Sequence, residues 1–331
     1  MGISNTQYMD IMYQYDQIRL KNHHLSEKRY AEVCEKIPEI QKIQEELIKL
    51  SADYARMQLF EPGNNVKENL SYSNRKKELQ EKKSQLLTMN GYPADYLSPI
   101  YNCKACKDTG YIGNTPCNCL KQRKIDLLYE SSNLTEVLEY ENFSTFSESY
   151  YDDTQINENL SLTPRQNIIK IKKICLDYVK HFDKIYKNII FYGETGVGKT
   201  FITHCIAKAL LDTSHTVVYL TAPQLFEILA TNKFGKSNEE QYGSQISYIL
   251  DSELLIIDDL GTELVNSFTS SQLYYFIEER HLRRKAVIIS TNLSFKELLD
   301  RYNERIFSRF TGYYSFYMIA GEDIRIKLAL S

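Results

Sequence analysis

Four groups of residues have types and spacings that imply chemistry. Gly193-Glu194-Thr195-Gly196-Val197-Gly198-Lys199-Thr200 fits G-x-x-x-x-G-K-[ST]. In such a loop the glycines let backbone N–H groups turn toward phosphates and the helix that follows adds positive potential. Lys199 is expected to reach the β- and γ-phosphates, and the Thr200 hydroxyl to ligate Mg²⁺. Three of only 13 glycines fall in this loop, so the cluster is not a compositional accident. Further along, Leu254-Leu255-Ile256-Ile257-Asp258-Asp259 is an apolar run ending in two carboxylates. It is expected to present Asp258 to the same Mg²⁺ and Asp259 to an attacking water, with Glu263 near enough to compete for the water. In Ser290-Thr291-Asn292, the side chain of Asn292 sits where a strand ends, the place at which open α/β sheets bind ligands. It is assigned to orient water or touch the γ-phosphate.

The fourth group is Cys103-x₂-Cys106-x₁₀-Cys117-x-Cys119. Four thiolates match a tetrahedral structural zinc with no position left open for catalysis. Disulfides are the other reading, and they suit a reducing compartment poorly. Cys34, Cys175 and Cys205 stand apart and are expected to be buried small apolar residues.

These groups need elements to hold them. The predicted strands are Asn188–Tyr192, Thr216–Leu220, Leu254–Asp258, Ala286–Thr291 and Phe316–Ile319, with helical stretches between them. That alternation implies a mainly parallel five-stranded sheet covered on both faces. The first hundred residues are helical in pattern. Ile40, Ile43, Leu47, Leu50, Tyr54 and Met57 fall on one helical stripe that begins near Pro38, and a second helix runs from about Lys67 to Met89. Glu61-Pro62-Gly63-Asn64 is the expected turn of this hairpin, and its stripe is expected to be a packing face.

Residues 134–163 carry seven acidic residues and no Lys or Arg, which predicts an extended connector pinned by Phe143, Phe146, Tyr150 and Tyr151. The expected organisation is therefore a helical, zinc-bearing domain over 1–133, an acidic linker over 134–163 and an ATPase domain over 164–331. The flanking domains hold 19 basic against 17 acidic residues and 21 against 19, so the net charge of -3 comes from the connector. That balance excludes a protein that coats nucleic acid through bulk charge. Arg280, Arg283, Arg284 and Lys285 form a local basic knot that is a candidate DNA contact. No apolar run reaches the length of a membrane span. Met1-Gly2-Ile3-Ser4-Asn5-Thr6 fits the loose myristoylation pattern, a match short enough to arise by chance, and the expected address is the cytoplasm.

The segment from 164 to 331 resembles AAA+ ATPases of the DnaC/DnaI branch of replicative helicase loaders and their IstB-type transposition relatives. The resemblance is carried by GETGVGKT, by Leu254–Glu263, by residues 290–292 and by Glu304-Arg305-Ile306-Phe307-Ser308-Arg309-Phe310. It implies that Arg309, supported by Arg305, is an arginine finger offered to a neighbouring subunit's ATP, and that Arg325 is a sensor arginine. The stretch Tyr101–Tyr111 similarly resembles the zinc-bearing region of DnaI-type loaders. Most AAA+ members place Glu where this chain has Asp259, which implies slow hydrolysis stimulated by a partner or DNA. The resemblance implies an ATP-dependent loader using ATP, Mg²⁺ and Zn²⁺, with a hexameric replicative helicase and single-stranded DNA as partners. The alternatives are a transposition-accessory ATPase, a P-loop kinase and a nucleotide-dependent adaptor.

Overall fold

The computed structural model describes residues 5–60, 66–128, 132–234 and 246–330. The expected turn at 61–64 and residues 1–4 lie outside the described residues. Contacts divide the chain into two units, Met12–Thr109 and Met1–Ile11 with Gly110–Ser331. Among the described residues, no helix is long and apolar enough to cross a membrane.

Helices α1 (Asn5–Lys36), α2 (Pro38–Phe60) and α3 (Val66–Met89) follow one another. Pro38 opens α2, where its missing N–H has no helical partner to lose. Of the α2 stripe, Ile40 and Ile43 are buried and Leu47, Leu50 and Tyr54 half-buried. Tyr54 stacks on Tyr72 of α3 with ring centroids 3.9 Å apart, so the stripe packs the hairpin. Val33, Ile37, Ile40 and Leu87 form the unit's core.

The other unit begins with a two-residue antiparallel ribbon, β1 (Tyr111–Ile112) and β2 (Thr115–Pro116), followed by α4 (Asn118–Leu128) and α5 (Ser132–Tyr140). Then come α6 (Pro164–Lys180), β3 (Asn188–Tyr192), α7 (Lys199–Asp212), β4 (Val217–Thr221), α8 (Ala222–Phe234) and β5 (Leu254–Leu260). After them lie α9 (Ser267–Leu282), β6 (Ala286–Thr291), α10 (Phe295–Tyr313), β7 (Tyr314–Met318) and α11 (Ile324–Leu330). The five long strands form one parallel sheet in the order β4-β5-β6-β3-β7. All five expected strands are present, two of them with exact bounds.

Alternate strand residues feed two cores. Leu255, Ile257, Val287 and Ile289 join α8, α9 and α10, whereas Leu254, Ile256, Ala286 and Ile288 join α6 and α7. Both faces are covered, which is why the strands read as continuous apolar runs.

Two segments differ from the sequence reading. Residues 118–128 belong with the sheet: Ile125 is buried in its core, and the Gln122 side-chain amide pairs with β4. Gln122 Nε2 donates to the Val217 carbonyl at 2.9 Å, and Val217 N–H donates to Gln122 Oε1 at 2.8 Å. One amide thus satisfies an edge strand as a neighbouring strand would.

Residues 134–163 are not an extended tether. They hold the end of α5 and a 3₁₀ turn at Glu148–Tyr150, and Leu138, Phe146 and Tyr151 are buried in the α6–α7 core. Three of the acidic residues meet partners on α6 and α7: Glu148 pairs with Lys172 at 2.6 Å, Glu139 with Lys208 at 3.7 Å, and Glu141 hydrogen-bonds the His204 imidazole at 2.6 Å. Composition signalled the charge but not the cations awaiting it on α6 and α7.

Candidate functional site

The loop 193–198 joins β3 to α7 at the C-terminal edge of the sheet. Gly193 has φ 147°, and a Cβ there would collide with the carbonyl of Ile319, just past β7. Gly196 has φ 78°, and a Cβ would enter the Asp323 carboxylate. A Cβ at Gly193 would require backbone to move; at Gly196 it would displace the Asp323 side chain and hold a strained left-handed φ. Gly198 precedes α7 without any side-chain cap, so the first N–H groups of that helix stay open at the loop.

Lys199 is buried, and its amine donates to the carbonyls of Gly193 at 2.9 Å and Glu194 at 2.6 Å. Burial lowers its pKa to about 8, against the pull of Asp259, Asp258 and Glu194. A buried cation with only neutral acceptors around its amine is poised for an anion. Thr200 Oγ1 donates to the Asp258 carboxylate at 3.0 Å, forming the hydroxyl–carboxylate pair expected of an Mg²⁺ site. The donor set, two hard oxygen groups beside an anion loop, fits Mg²⁺ chemically.

Both aspartates reach this edge because β5 contains a bulge. Ile257 pairs with Ile289 and Leu260 with Thr291, so Asp258 and Asp259 together oppose the single residue Ser290. In unbroken alternation Asp259 would face the α8–α10 core alongside Leu255 and Ile257; instead Leu260 takes that place. Asp259 has φ 54°, an uncommon left-handed conformation for a non-glycine. Burial and the charge of Asp258 raise its pKa, while Lys199 and Arg325 oppose the shift.

A cavity of about 550 Å³ gathers these groups. Thr195, Gly196, Gly198, Lys199, Thr200, Asp259, Asn292 and Arg325 line it. The 134–163 segment contributes Glu141, Phe146, Tyr150 and Tyr151 to the same wall. The Tyr151 hydroxyl donates to the Val197 carbonyl at 2.8 Å, tying that segment to the phosphate loop. Sequence reading took these aromatics as pins for a connector; that they wall the cavity was visible only in the fold. Arg325 is oriented by Asp323, to which it donates at 3.1 and 3.0 Å.

Three expected site residues lie elsewhere. The Glu263 carboxylate is buried, accepts from Gly261 N–H at 2.9 Å and takes the Tyr302 hydroxyl, and it does not line the cavity. Arg305 and Arg309 lie over the Tyr274 ring at 5.2 and 5.7 Å, and Arg309 also pairs with Glu278. Both belong to the second half of α10, which restarts at Asn303 (φ 69°), whose side chain caps the N–H of Arg305 at 3.0 Å.

The basic knot is not one patch. Arg280 is fully buried and donates to the carbonyls of Ile249, Ser252 and Ala286 and to the Ser252 hydroxyl. Arg283 is engaged by Asp251 at 2.7 Å and by Glu279 at 3.3 Å.

The four clustered cysteines have their sulfur atoms within 4.8 Å of one another. None is in a disulfide. With Zn–S near ~2.3 Å, a tetrahedral ion separates its sulfurs by roughly 3.8 Å, so the set fits zinc. Asp108 accepts from Cys103 N–H at 2.6 Å and Asn102 N–H at 2.9 Å, which shapes the first half of the knuckle. Cys175 and Cys205 are fully buried; burial pushes the Cys205 thiol up to about 12 and Cys175 higher still.

Comparison with known proteins gives this geometry relatives. Residues 155–309 match the family model described as IstB-like ATP binding protein. The chain is 24% identical over 241 residues to the phage-like element PBSX protein XkdC of Bacillus subtilis (strain 168), spanning 69% of this chain and 85% of that protein. It is 24% identical over 133 residues to the replicative helicase loader DnaC of Escherichia coli (strain K12), spanning 40% of this chain and 53%, about half, of the loader. Among solved structures, the DnaC helicase loader aligns with a TM-score of 0.44 at 21% identity, covering 56% of this chain and 99% of that one. With its phosphate loop and paired aspartates at the edge of a parallel sheet, the segment 155–309 resembles the ATP-binding proteins that the IstB-like family model describes.

Proposed function

We propose that this chain is an ATP-controlled loader of a hexameric replicative DNA helicase. One observation carries the reading: the phosphate loop with its buried Lys199 opens on a cavity also lined by Asp259, Asn292 and Arg325. The family shared with the loader DnaC supports the direction of that reading. ATP lays its phosphates along Gly193–Thr200, where the open N–H groups and the Lys199 amine donate to them. Phe146 and Tyr150 face the base. Thr200 and Asp258 would hold Mg²⁺, which would supply electrostatic stabilisation of phosphate charge. Asp259 orients the attacking water, and Asn292 fixes water or γ-phosphate. The water oxygen bonds to the γ-phosphorus as the β–γ bridging P–O bond breaks, releasing ADP and phosphate. Arg309, with Arg305 in support, leaves Tyr274 and Glu278 to reach a neighbouring subunit's ATP.

The helical unit over residues 12–109 grips the helicase, and Cys103, Cys106, Cys117 and Cys119 would hold a structural Zn²⁺. Nucleotide state sets affinity for the ring and for single-stranded DNA, and hydrolysis resets it. Turnover by the isolated chain is slow, and helicase or single-stranded DNA stimulates it. The test is a pull-down of the cell's replicative helicase with and without ATP, using the parent, Lys199→Ala and Asp259→Asn. ATP-dependent association lost in Lys199→Ala and prolonged in Asp259→Asn supports the reading; no association in any state sinks it.

A second reading, an ATPase accessory to a transposase, is favoured by the IstB-like description of the matching family model. Nucleotide-dependent binding of duplex DNA with no helicase association would select it.

A further inference from the structure

Ser290 is the residue the sheet places opposite the β5 bulge, where two aspartates face one partner. Its side chain is fully buried. Its oxygen accepts the Asp259 N–H at 3.0 Å, and its proton goes to Oδ1 of Asp258 in a short hydrogen bond. The two bonds are linked in direction. A backbone N–H can only donate, so the hydroxyl oxygen is committed as acceptor there and its proton must point elsewhere. The Asp258 carboxylate takes it.

One hydroxyl therefore holds both aspartates. It fixes Oδ1 of Asp258 from the sheet side, while Thr200 approaches Oδ2 at 3.0 Å from the loop side. It also anchors the backbone of Asp259 in the left-handed conformation that turns its carboxylate into the cavity. Thr262 holds the other side of that residue, donating from N at 3.2 Å and from Oγ1 at 2.9 Å to the Asp259 carbonyl. Thr200 is the partner that must turn toward a metal ion; Ser290 is the one that stays.

We infer that Ser290 is the positioning residue that presets the two aspartates for the metal–nucleotide complex. It touches neither ligand and acts through Asp258 and Asp259. The inference rests on the nucleotide reading above. Removing its hydroxyl lets the Asp258 carboxylate rotate and the bulge relax, so the loss falls on the metal-dependent part of nucleotide binding.

The experiment is a titration of the full chain with a fluorescent ADP analogue, with and without MgCl₂. It compares the parent, Ser290→Ala and Ser252→Ala. Ser252 is the matched control: its buried hydroxyl also accepts one donor, from Arg280 at 3.0 Å, and donates to a carbonyl, that of Ile249 at 3.3 Å, yet it lies outside the cavity. The expected result is that Mg²⁺ tightens binding about 10- to 100-fold less in Ser290→Ala than in the parent. Affinity without Mg²⁺ stays within about twofold, and Ser252→Ala loses melting temperature but keeps the full Mg²⁺ effect. Full Mg²⁺ tightening in Ser290→Ala, or an equal loss in Ser252→Ala, overturns the inference. Should the alanine variant not fold, Ser290→Cys carries the same test: reduced tightening supports it and full tightening overturns it. A parent chain that binds no nucleotide overturns the nucleotide reading itself, and the inference falls with it.

Discussion

The amine of Lys199 is held out of water with its protons on two carbonyls of its own loop, at a pKa of about 8. A phosphate beside it favours the charged form. Below about pH 8 the amine is protonated with or without nucleotide, and affinity is flat. Above it, binding must take up a proton, so affinity falls toward about tenfold per pH unit. Fluorescent-nucleotide titrations from about pH 6.5 to about pH 9.5 check this, and Lys199→Arg, charged throughout, removes the slope. A flat parent profile would refute the assignment. Arg280 shows the opposite use of a buried cation. Its guanidinium satisfies three carbonyls and a hydroxyl at the foot of β5 and β6. Arg280→Met leaves those acceptors unpaired and is expected to cost about 3 kcal/mol by denaturant melting, whereas Arg284→Ala changes stability by less than about 0.5 kcal/mol. In sequence these two arginines were indistinguishable members of one basic run, because charge does not reveal burial.

At the scale of elements, the strands were legible because a strand buried on both faces must be apolar throughout. Their edges were less so. β4 closes its open side with a glutamine from α4, a solution that leaves no mark on hydrophobic periodicity. Gln122→Ala should destabilise the fold by about 1–2 kcal/mol, because two backbone groups of Val217 lose their partner. Hydrogen exchange at the Val217 amide is the direct check, and unchanged protection would remove the edge-pairing role. The β5 bulge was equally silent. The Asp-Asp pair was plain, but strict alternation sends its two side chains to opposite faces. Only pairing with β6 reveals that the extra residue turns both carboxylates to one edge.

For the molecule as a whole, the acidic segment 134–163 changes meaning. Lys172 and Lys208 pair with its Glu148 and Glu139, and its aromatics wall the cavity at the phosphate loop, so it is part of the unit that carries the loop. Filled with zinc, the cysteine knuckle would be a separate source of stability. One zinc per chain is expected by elemental analysis, and a strong chelator should lower the melting temperature of the parent. Cys106→Ser should lose the metal, with nucleotide affinity changed less than about threefold, since no cysteine lines the cavity. Metal-free parent protein with an unchanged melting curve would remove the zinc assignment.

The order and type of residues were enough to determine the parallel sheet, the phosphate loop, the paired aspartates and the four-cysteine knuckle. Each depends on local rules: apolar runs for buried strands, glycines for a loop that must turn N–H groups toward an anion, and thiolates close enough in the chain to meet. Tertiary structure alone decided the rest. It buried Arg280, turned Glu263 onto Gly261 and Tyr302, folded the acidic segment onto the site and set Ser290 against the bulge. All of these are contacts between residues far apart in the chain, where the partner fixes the role. A sequence states which groups are present; burial and pairing determine which remain free to act.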